Sequence, residues 1–210
     1  SQNPELGSDF YSNKAPGVAL LGIPLYFGIY HAWQILDMPQ KLEPPMSARY
    51  ALHVWMTVLP LAFSAPAFFF LLRRLGASLW QSITWTFVLY YCTLLLPFSS
   101  QLWGHSTATA FVILALESVV SRRLAFAGLF AGVSVLCDYG CAPFAVALAV
   151  FVAMSGPYLR LQRFILGSMG PIVVYAAYHT ICFGSPWVTA NSFNNPEFFN
   201  ADGRQFLFPQ

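Results

Sequence analysis

Charged residues are scarce in this chain of 210 residues: they make up 9% of the sequence, whereas an ordinary soluble domain carries about a quarter. So few charges cannot cover a surface that faces water, which excludes a soluble globular fold. Hydrophobic residues, at 57%, instead indicate helices that face lipid. We therefore expect an integral membrane protein whose immediate partner is the lipid bilayer.

Basic residues and cysteines are few as well. The ten lysines and arginines leave a net charge of +2 and occur as scattered short pairs, so we expect no nucleic-acid partner. The four cysteines lie mostly inside apolar segments, where a free thiol behaves as a small hydrophobic group. Cys137 and Cys141 could pair in an oxidising compartment, although their spacing alone does not establish a bridge. We predict neither a metal site nor a cofactor.

Long apolar segments dominate what is present. Crossing about 30 Å of hydrocarbon takes roughly 20 apolar residues in a helix. The segment 124–154 is too long for one crossing and is interrupted by Asp138, so we predict two short helices that meet there. Pro60 and Pro66 predict a kink in the second segment, with neighbouring helices bonding to the freed carbonyls. The segments are 16–36, 50–72, 79–97, 103–120, 124–154 and 164–183.

These segments predict an all-α fold, a polytopic transmembrane helical bundle with about six or seven membrane helices. Residues 1–15 would form an extracytoplasmic or interfacial segment, residues 16–183 the transmembrane domain, and residues 184–210 an extracytoplasmic loop, rich in asparagine and aromatic residues. The chain opens at Ser1 without the basic region and cleavage site of a signal peptide. We therefore expect a processed chain or a piece of a longer one.

The arginines predict the orientation of the bundle, because short cytoplasmic loops are enriched in basic residues. Three loops on one side carry them, and Asp138 and the segment 184–210 fall on the opposite, extracytoplasmic side. Counting crossings back from the first pair places the N-terminus inside, whereas its polar and aromatic content is typical of an external segment. One of the first two apolar segments then enters the membrane without crossing it, and the sequence leaves open which. The arginines are Arg73, Arg74, Arg122, Arg123, Arg160 and Arg163.

Two ionisable residues are candidates for chemistry, because a charge at membrane depth is costly. Asp138 lies in the polar break between two apolar half-helices; the alternative is that it only caps the next helix. His105 lies at the outer end of the fourth segment, on the same side as Asp138. It can donate, accept or titrate near neutral pH, or it can simply end a helix. We interpret His31, His53 and His179 as structural, since none has a second ligand at helical spacing.

A polar segment directly precedes the first apolar one and contains Asp9, Tyr11 and Lys14. Lys14 adjoins the N-terminus of a predicted helix, where its ammonium and the exposed amides both favour an anion such as a lipid-linked phosphate. The alternative is an interfacial lysine whose side chain reaches out to water. The residues themselves support the two equally.

Four short motifs occur in order along the chain: YSNKAPG at 11–17, LWGH at 102–105, AGLFAG followed by LCDY within 127–139, and FGSP at 183–186. Together they resemble motifs of bacterial polytopic glycosyltransferases of the GT-C superfamily. Those enzymes are related to the protein O-mannosyltransferases and to the aminoarabinose transferase of lipid A. Asp138 stands where that family has glutamate, and Gly140 where it has proline.

The resemblance implies an enzyme that transfers a sugar from a polyprenyl-phosphate donor to an acceptor outside the bacterial inner membrane. It implies catalytic roles for His105 and Asp138 and donor-binding roles for Tyr11, Lys14 and Tyr139. In the family the base is an acidic residue upstream of the first motif, after a first transmembrane helix. Asp9 is the only aspartate before that motif here, so it is the candidate base if the chain acts alone.

Two other functions stay open. A non-catalytic membrane subunit that packs against a larger complex is favoured by the upstream position of the family's acidic residue. A transporter could hold a substrate at the broken helix around Asp138, although no inverted repeat is visible. A single cavity at the end away from the arginines would favour the enzyme over the subunit if it is lined by Lys14, His105 and Asp138.

Overall fold

The computed structural model describes residues 14–36 and 46–188, and all the regular secondary structure in these ranges is helical. This confirms the all-α prediction. A π-helical turn at Val54–Val58 joins two of the helices, and a 3-10 turn at Tyr139–Cys141 separates two others. Asp9, Tyr11 and most of the predicted C-terminal loop lie outside the described residues. The helices are α1 (Gly17–Ile35), α2 (Met46–His53), α3 (Leu59–Arg74), α4 (Leu79–Tyr91), α5 (Leu95–Ser99), α6 (Gly104–Val120), α7 (Leu124–Cys137), α8 (Ala142–Met154) and α9 (Tyr158–Phe183).

Three stretches of helix are long and apolar enough to cross a membrane: Gly17–Ile35, Met46–Arg74 and Tyr158–Phe183. Shorter apolar helices accompany them in the described part of the chain, among them α6 and α7. This length and composition indicate a helical membrane protein.

The distribution of side chains fits a surface that faces lipid. Large apolar side chains point outward, such as Phe63, which is 68% exposed, and Trp80, which is 75% exposed. Most of the fully buried positions are small or polar instead, such as Ser64, Ala127 and Ser134. Small side chains let helix backbones approach closely where no hydrophobic effect drives them together.

α7 is the central helix and packs most extensively against α9 and α6. Gly128 in α7 and Gly167 in α9 bring two backbones into contact. A β-carbon at Gly128 would collide with the carbonyl of Phe164, and one at Gly167 with the carbonyl of Ala125. The AGLFAG motif is therefore a packing surface, because only glycine fits at this crossing.

The second predicted segment forms one helix from α2 to α3, and the π-helical turn lies just before Pro60. Proline has no N–H, so Pro60 cannot give the carbonyl of Met56 its usual helical hydrogen bond. The hydroxyl of Thr107 in α6 donates to that carbonyl at 2.9 Å. The prediction that a neighbouring helix bonds to a carbonyl freed by proline is confirmed here.

The third segment was predicted to extend to residue 97, and this is wrong, since α4 ends at Tyr91. The hydroxyl of Thr93 donates to the carbonyl of Leu89 at 2.7 Å and accepts from the N–H of Leu95 at 3.2 Å. Thr93 thus satisfies a carbonyl of the last turn of α4 and an N–H of the first turn of α5. A threonine side chain that competes with the backbone in this way favours a helix end over a helix interior.

The predicted arginine loops lie together at one end of the bundle. Arg74 of α3 pairs with Glu117 of α6, with 3.7 Å between Nη2 and Oε1. Arg122 and Arg160 line one small groove beside the α6–α7 turn. We call this end of the bundle, defined by Arg74, Arg122 and Arg160, the arginine end.

α1 begins at the opposite end. Gly17 packs directly against the backbone of Leu136 and Cys137, where a β-carbon would collide. From there α1 follows α2 and the π-helical turn, where the indole N–H of Trp55 donates to the carbonyl of Leu21 at 2.8 Å. The first apolar segment therefore packs mainly against the last turn of α7 and the α2 and π-helical parts of the second segment.

Candidate functional site

The polar break after α7 has the non-helical backbone that the sequence predicts. α7 ends at Cys137, and Asp138 is extended, with φ −153° and ψ 115°. Its Oδ1 accepts the backbone N–H of Gly140 at 2.9 Å, which caps the 3-10 turn that follows. The prediction of two helices that meet at Asp138 is confirmed.

Asp138 also meets His105, the first side chain of α6 beyond the glycine that begins the helix. The imidazole Nδ1 and the carboxylate Oδ2 are 2.5 Å apart. Gly104 makes this approach possible, because a β-carbon there would collide with the carbonyl oxygen of Cys137. Capping and pairing therefore use different oxygens of Asp138, so the capping alternative and a role in a site are compatible.

Both residues line a cavity of about 910 Å³, which is within the usual range for ligand sites. Lys14 and Tyr139 line the same cavity. We call this end of the bundle the cavity end. The structure thus brings together four of the six predicted site residues, and Asp9 and Tyr11 lie outside the described part of the chain.

Lys14 is placed by the two residues that complete the KAPG motif. Pro16 and Gly17 are buried, and Gly17 packs on the last turn of α7, next to Asp138. The side chain of Lys14 is exposed at the wall of the cavity, just before the N-terminus of α1. A cation beside the N-terminus of a helix thereby lies in the same concave site as the pair of His105 and Asp138, and the cation and the helix start are the features that suit an anion.

Tyr139 connects the break to α9 through His179, a residue that we interpreted from the sequence as structural. Its hydroxyl lies 3.1 Å from Nε2 of His179, whose Nδ1 lies 2.9 Å from the carbonyl of Tyr175. A carbonyl only accepts, so Nδ1 of His179 donates to it, and Nε2 of a neutral ring accepts from Tyr139. His179 is fully buried and stacks on the ring of Tyr175. We infer that His179 fixes the position of Tyr139, and so of the residue before it.

A histidine inside an apolar segment is a weak signal for this role, since the partner of His179 lies 40 residues away in the sequence. Tyr178, also missed, lines the cavity from α9. His31 and His53 lie elsewhere: His31 contacts Gln34, and Nε2 of His53 lies 2.8 Å from the carbonyl of Ser99.

Candidate ligands for a metal do not cluster. Within residues 14–36 and 46–188, no three histidine, cysteine or acidic side chains lie close enough to share an ion. Cys137 and Cys141, which flank the break, are both free thiols. Among the described residues, the ionisable groups that line the cavity are therefore an ammonium, an imidazole, a carboxylate, phenol groups and the thiol of Cys137.

Comparison of the chain with models of known protein families, with characterised proteins and with solved structures found no match.

Proposed function

We propose that this chain is a GT-C type glycosyltransferase that moves a sugar from a polyprenyl-phosphate donor to an acceptor outside the cytoplasm. One observation carries the proposal: Lys14, His105 and Asp138 surround a single cavity at the end of the bundle away from the arginines. The four motifs that resemble this superfamily supply the donor class. The cavity contributes a place where a lipid-linked phosphate and an acceptor hydroxyl can meet.

The arrangement suits transfer from a phosphate carrier. As the sugar leaves its carrier, negative charge grows on the phosphate, and Lys14 with the first amides of α1 stabilises it. The acceptor hydroxyl loses its proton as it attacks, which requires a base within the cavity. The side chains around Lys14 are apolar along α1, among them Leu20 and Ile23, so a lipid carrier meets no charged wall there.

The proposal includes a placement in the bacterial inner membrane. The helix from α2 to α3, then α4, α6, α7, α8 and α9, would each cross, because successive helices run between the arginine end and the cavity end. The arginine end would face the cytoplasm. α1 would lie along the outer surface, which places Lys14 outside, as donor binding there requires.

Binding of a polyprenyl phosphate to the full chain in nanodiscs tests the proposal, with the matching polyprenol as the uncharged ligand. We expect the phosphate to bind more tightly than the alcohol, and Lys14→Ala to weaken phosphate binding by about 10- to 100-fold, as for loss of a hydrogen bond to a charged group. Lys14→Arg keeps the charge and should lose only part of this affinity. Arg163→Ala, which removes an exposed cation at the other end, is the matched control.

Two results would contradict the proposal. One is equal binding of the phosphate and the alcohol. The other is tight phosphate binding without release of polyprenyl phosphate from sugar-loaded donors in the presence of membrane acceptors, which would favour the non-catalytic subunit.

A further inference from the structure

The two nitrogens of His105 have different surroundings. Nδ1 lies against Asp138, whereas Nε2 has no hydrogen-bond partner among the residues that the structure describes. The imidazole is 58% exposed and lines the cavity. The rings of Phe98 and Trp103 meet it edge-on at 5.8 Å and 6.1 Å, so aromatic contacts hold the plane of the ring. Nδ1 of His105 is therefore bound by Asp138 and the ring has two aromatic neighbours, while the side chain lines the cavity.

We propose that Nε2 of His105 is the atom that accepts the proton of the acceptor hydroxyl, and that Asp138 is a positioning residue that keeps the ring proton on Nδ1. The inference rests on the proposed function for the reaction that it serves. It differs from the expectation that a carboxylate is the base.

Asp138 is poorly placed to act as the base itself, because both of its oxygens are engaged. Oδ1 accepts from the N–H of Gly140, and Oδ2 accepts from Nδ1–H of His105. A carboxylate only accepts, so the shared proton belongs to the imidazole. This fixes the tautomer with a lone pair on Nε2, which is the form that a base requires.

In the proposed transfer step one bond to the sugar forms and one breaks. The acceptor oxygen forms a bond to the anomeric carbon of the sugar while its proton moves to Nε2 of His105. The bond between that carbon and the carrier phosphate oxygen breaks, and its electron pair stays on the phosphate, next to Lys14. The imidazolium so formed is stabilised by Asp138 until the proton passes to water.

The substitution Asp138→Asn separates this role from capping. The N–H of Gly140 needs an acceptor, so it holds the amide oxygen of Asn at the position of Oδ1. The amide NH2 then faces Nδ1 of His105 and donates to it. Nδ1 must accept, the ring proton moves to Nε2, and the cavity meets a donor in place of a base. The change is nearly isosteric and keeps the cap.

Nitrogen NMR of the full chain labelled with 15N-histidine tests the geometry without any substrate, with the signals of His105 assigned by their loss in His105→Gln. For the neutral ring of the wild-type protein we expect the proton on Nδ1, and in Asp138→Asn on Nε2. A wild-type ring with its proton on Nε2 would overturn the inference, even if Asp138→Asn fails to fold. Unchanged signals in a folded Asp138→Asn would also overturn it.

Turnover supplies the second readout. Asp138→Asn and His105→Gln should each lower sugar transfer by about 100- to 10,000-fold, the range for loss of general base catalysis, while polyprenyl phosphate still binds. Transfer at the wild-type rate in His105→Gln would overturn the assignment of the base and leave the proposed function standing. Absence of transfer by the wild-type chain would overturn the proposed function and the catalytic role with it, whereas the tautomer would still report the pairing of His105 with Asp138.

Discussion

At the arginine end the helices are closed by turns whose partners are a few residues apart, whereas at the cavity end side chains bond over 33 to 51 residues. Gly76, at φ +94°, ends α3, and Ser78 with Gln81 forms a capping box that begins α4. At the cavity end, His105 pairs with Asp138 and Tyr139 with His179. The turns of the arginine end are therefore determined by local sequence, with the exposed ion pair between Arg74 and Glu117 added to them, whereas the packing of distant segments determines the cavity end. The candidate site lies at the cavity end.

Loss of the closest backbone contact at the cavity end should have the largest effect. We expect Gly104→Ala to lower the free energy of unfolding by about 1–3 kcal/mol, because its β-carbon collides with the carbonyl of Cys137 and moves α6 from α7. Unfolding in mixed micelles measures this. Gly28→Ala in α1 is the matched control: that helical glycine has open space around its β-position, and the substitution should raise the free energy of unfolding by about 0.5–1 kcal/mol. Equal effects of the two changes would show that the cavity end does not depend on this approach.

A smaller effect is expected for the hydrogen bond between Tyr139 and His179. A double-mutant cycle with Tyr139→Phe and His179→Phe should give a coupling energy of about 0.5–1.5 kcal/mol, as for a hydrogen bond between neutral groups. If His179 positions the break, the single change Tyr139→Phe should also alter the NMR signals of His105. A coupling energy of zero, with those signals unchanged, would contradict the positioning role that we assign to His179.

The smallest effect is expected at the arginine end, for the pair of Arg74 and Glu117. The side chain of Arg74 is 47% exposed, and exposed ion pairs contribute about 0–1 kcal/mol. Arg74→Gln should therefore change the free energy of unfolding by less than about 1 kcal/mol and leave the affinity for polyprenyl phosphate unaltered. A loss of that affinity would show that the arginine end and the cavity end are coupled, which would contradict the contrast between them.

The same contrast explains which features the sequence could predict. Asp138 interrupts an apolar run that is too long for one crossing, so the break between α7 and α8 was predictable from the order of residues. The start of α9 at Tyr158, ahead of the predicted residue 164, was not, because Arg160 and Arg163 lower the hydropathy of its first turns. Hydropathy identifies the part of a helix that suits lipid and not the helix itself.

The individual residues of the candidate site were predictable from the sequence, but their arrangement around one cavity was not. Lys14, His105 and Asp138 were chosen because ionisable residues at membrane depth are costly, a property of each residue by itself. Their convergence on one cavity depends on Gly17 and Gly104, whose β-positions are filled by the backbone of α7. A single sequence shows that a glycine is present but not which backbone approaches it. Whether these residues carry out transfer stays a prediction.

The π-helical turn at Val54–Val58 makes the outer part of its helix sensitive to length. A π-helical turn holds one residue more than an α-helical turn, so deletion of one residue there would restore a regular helix. The segment before it would rotate by about 100° relative to α3. Leu52 would leave the cavity wall, and His53 would leave the carbonyl of Ser99. A change in chain length of a single residue, which removes no ionisable group of the site, would thus reshape the cavity without altering its chemistry.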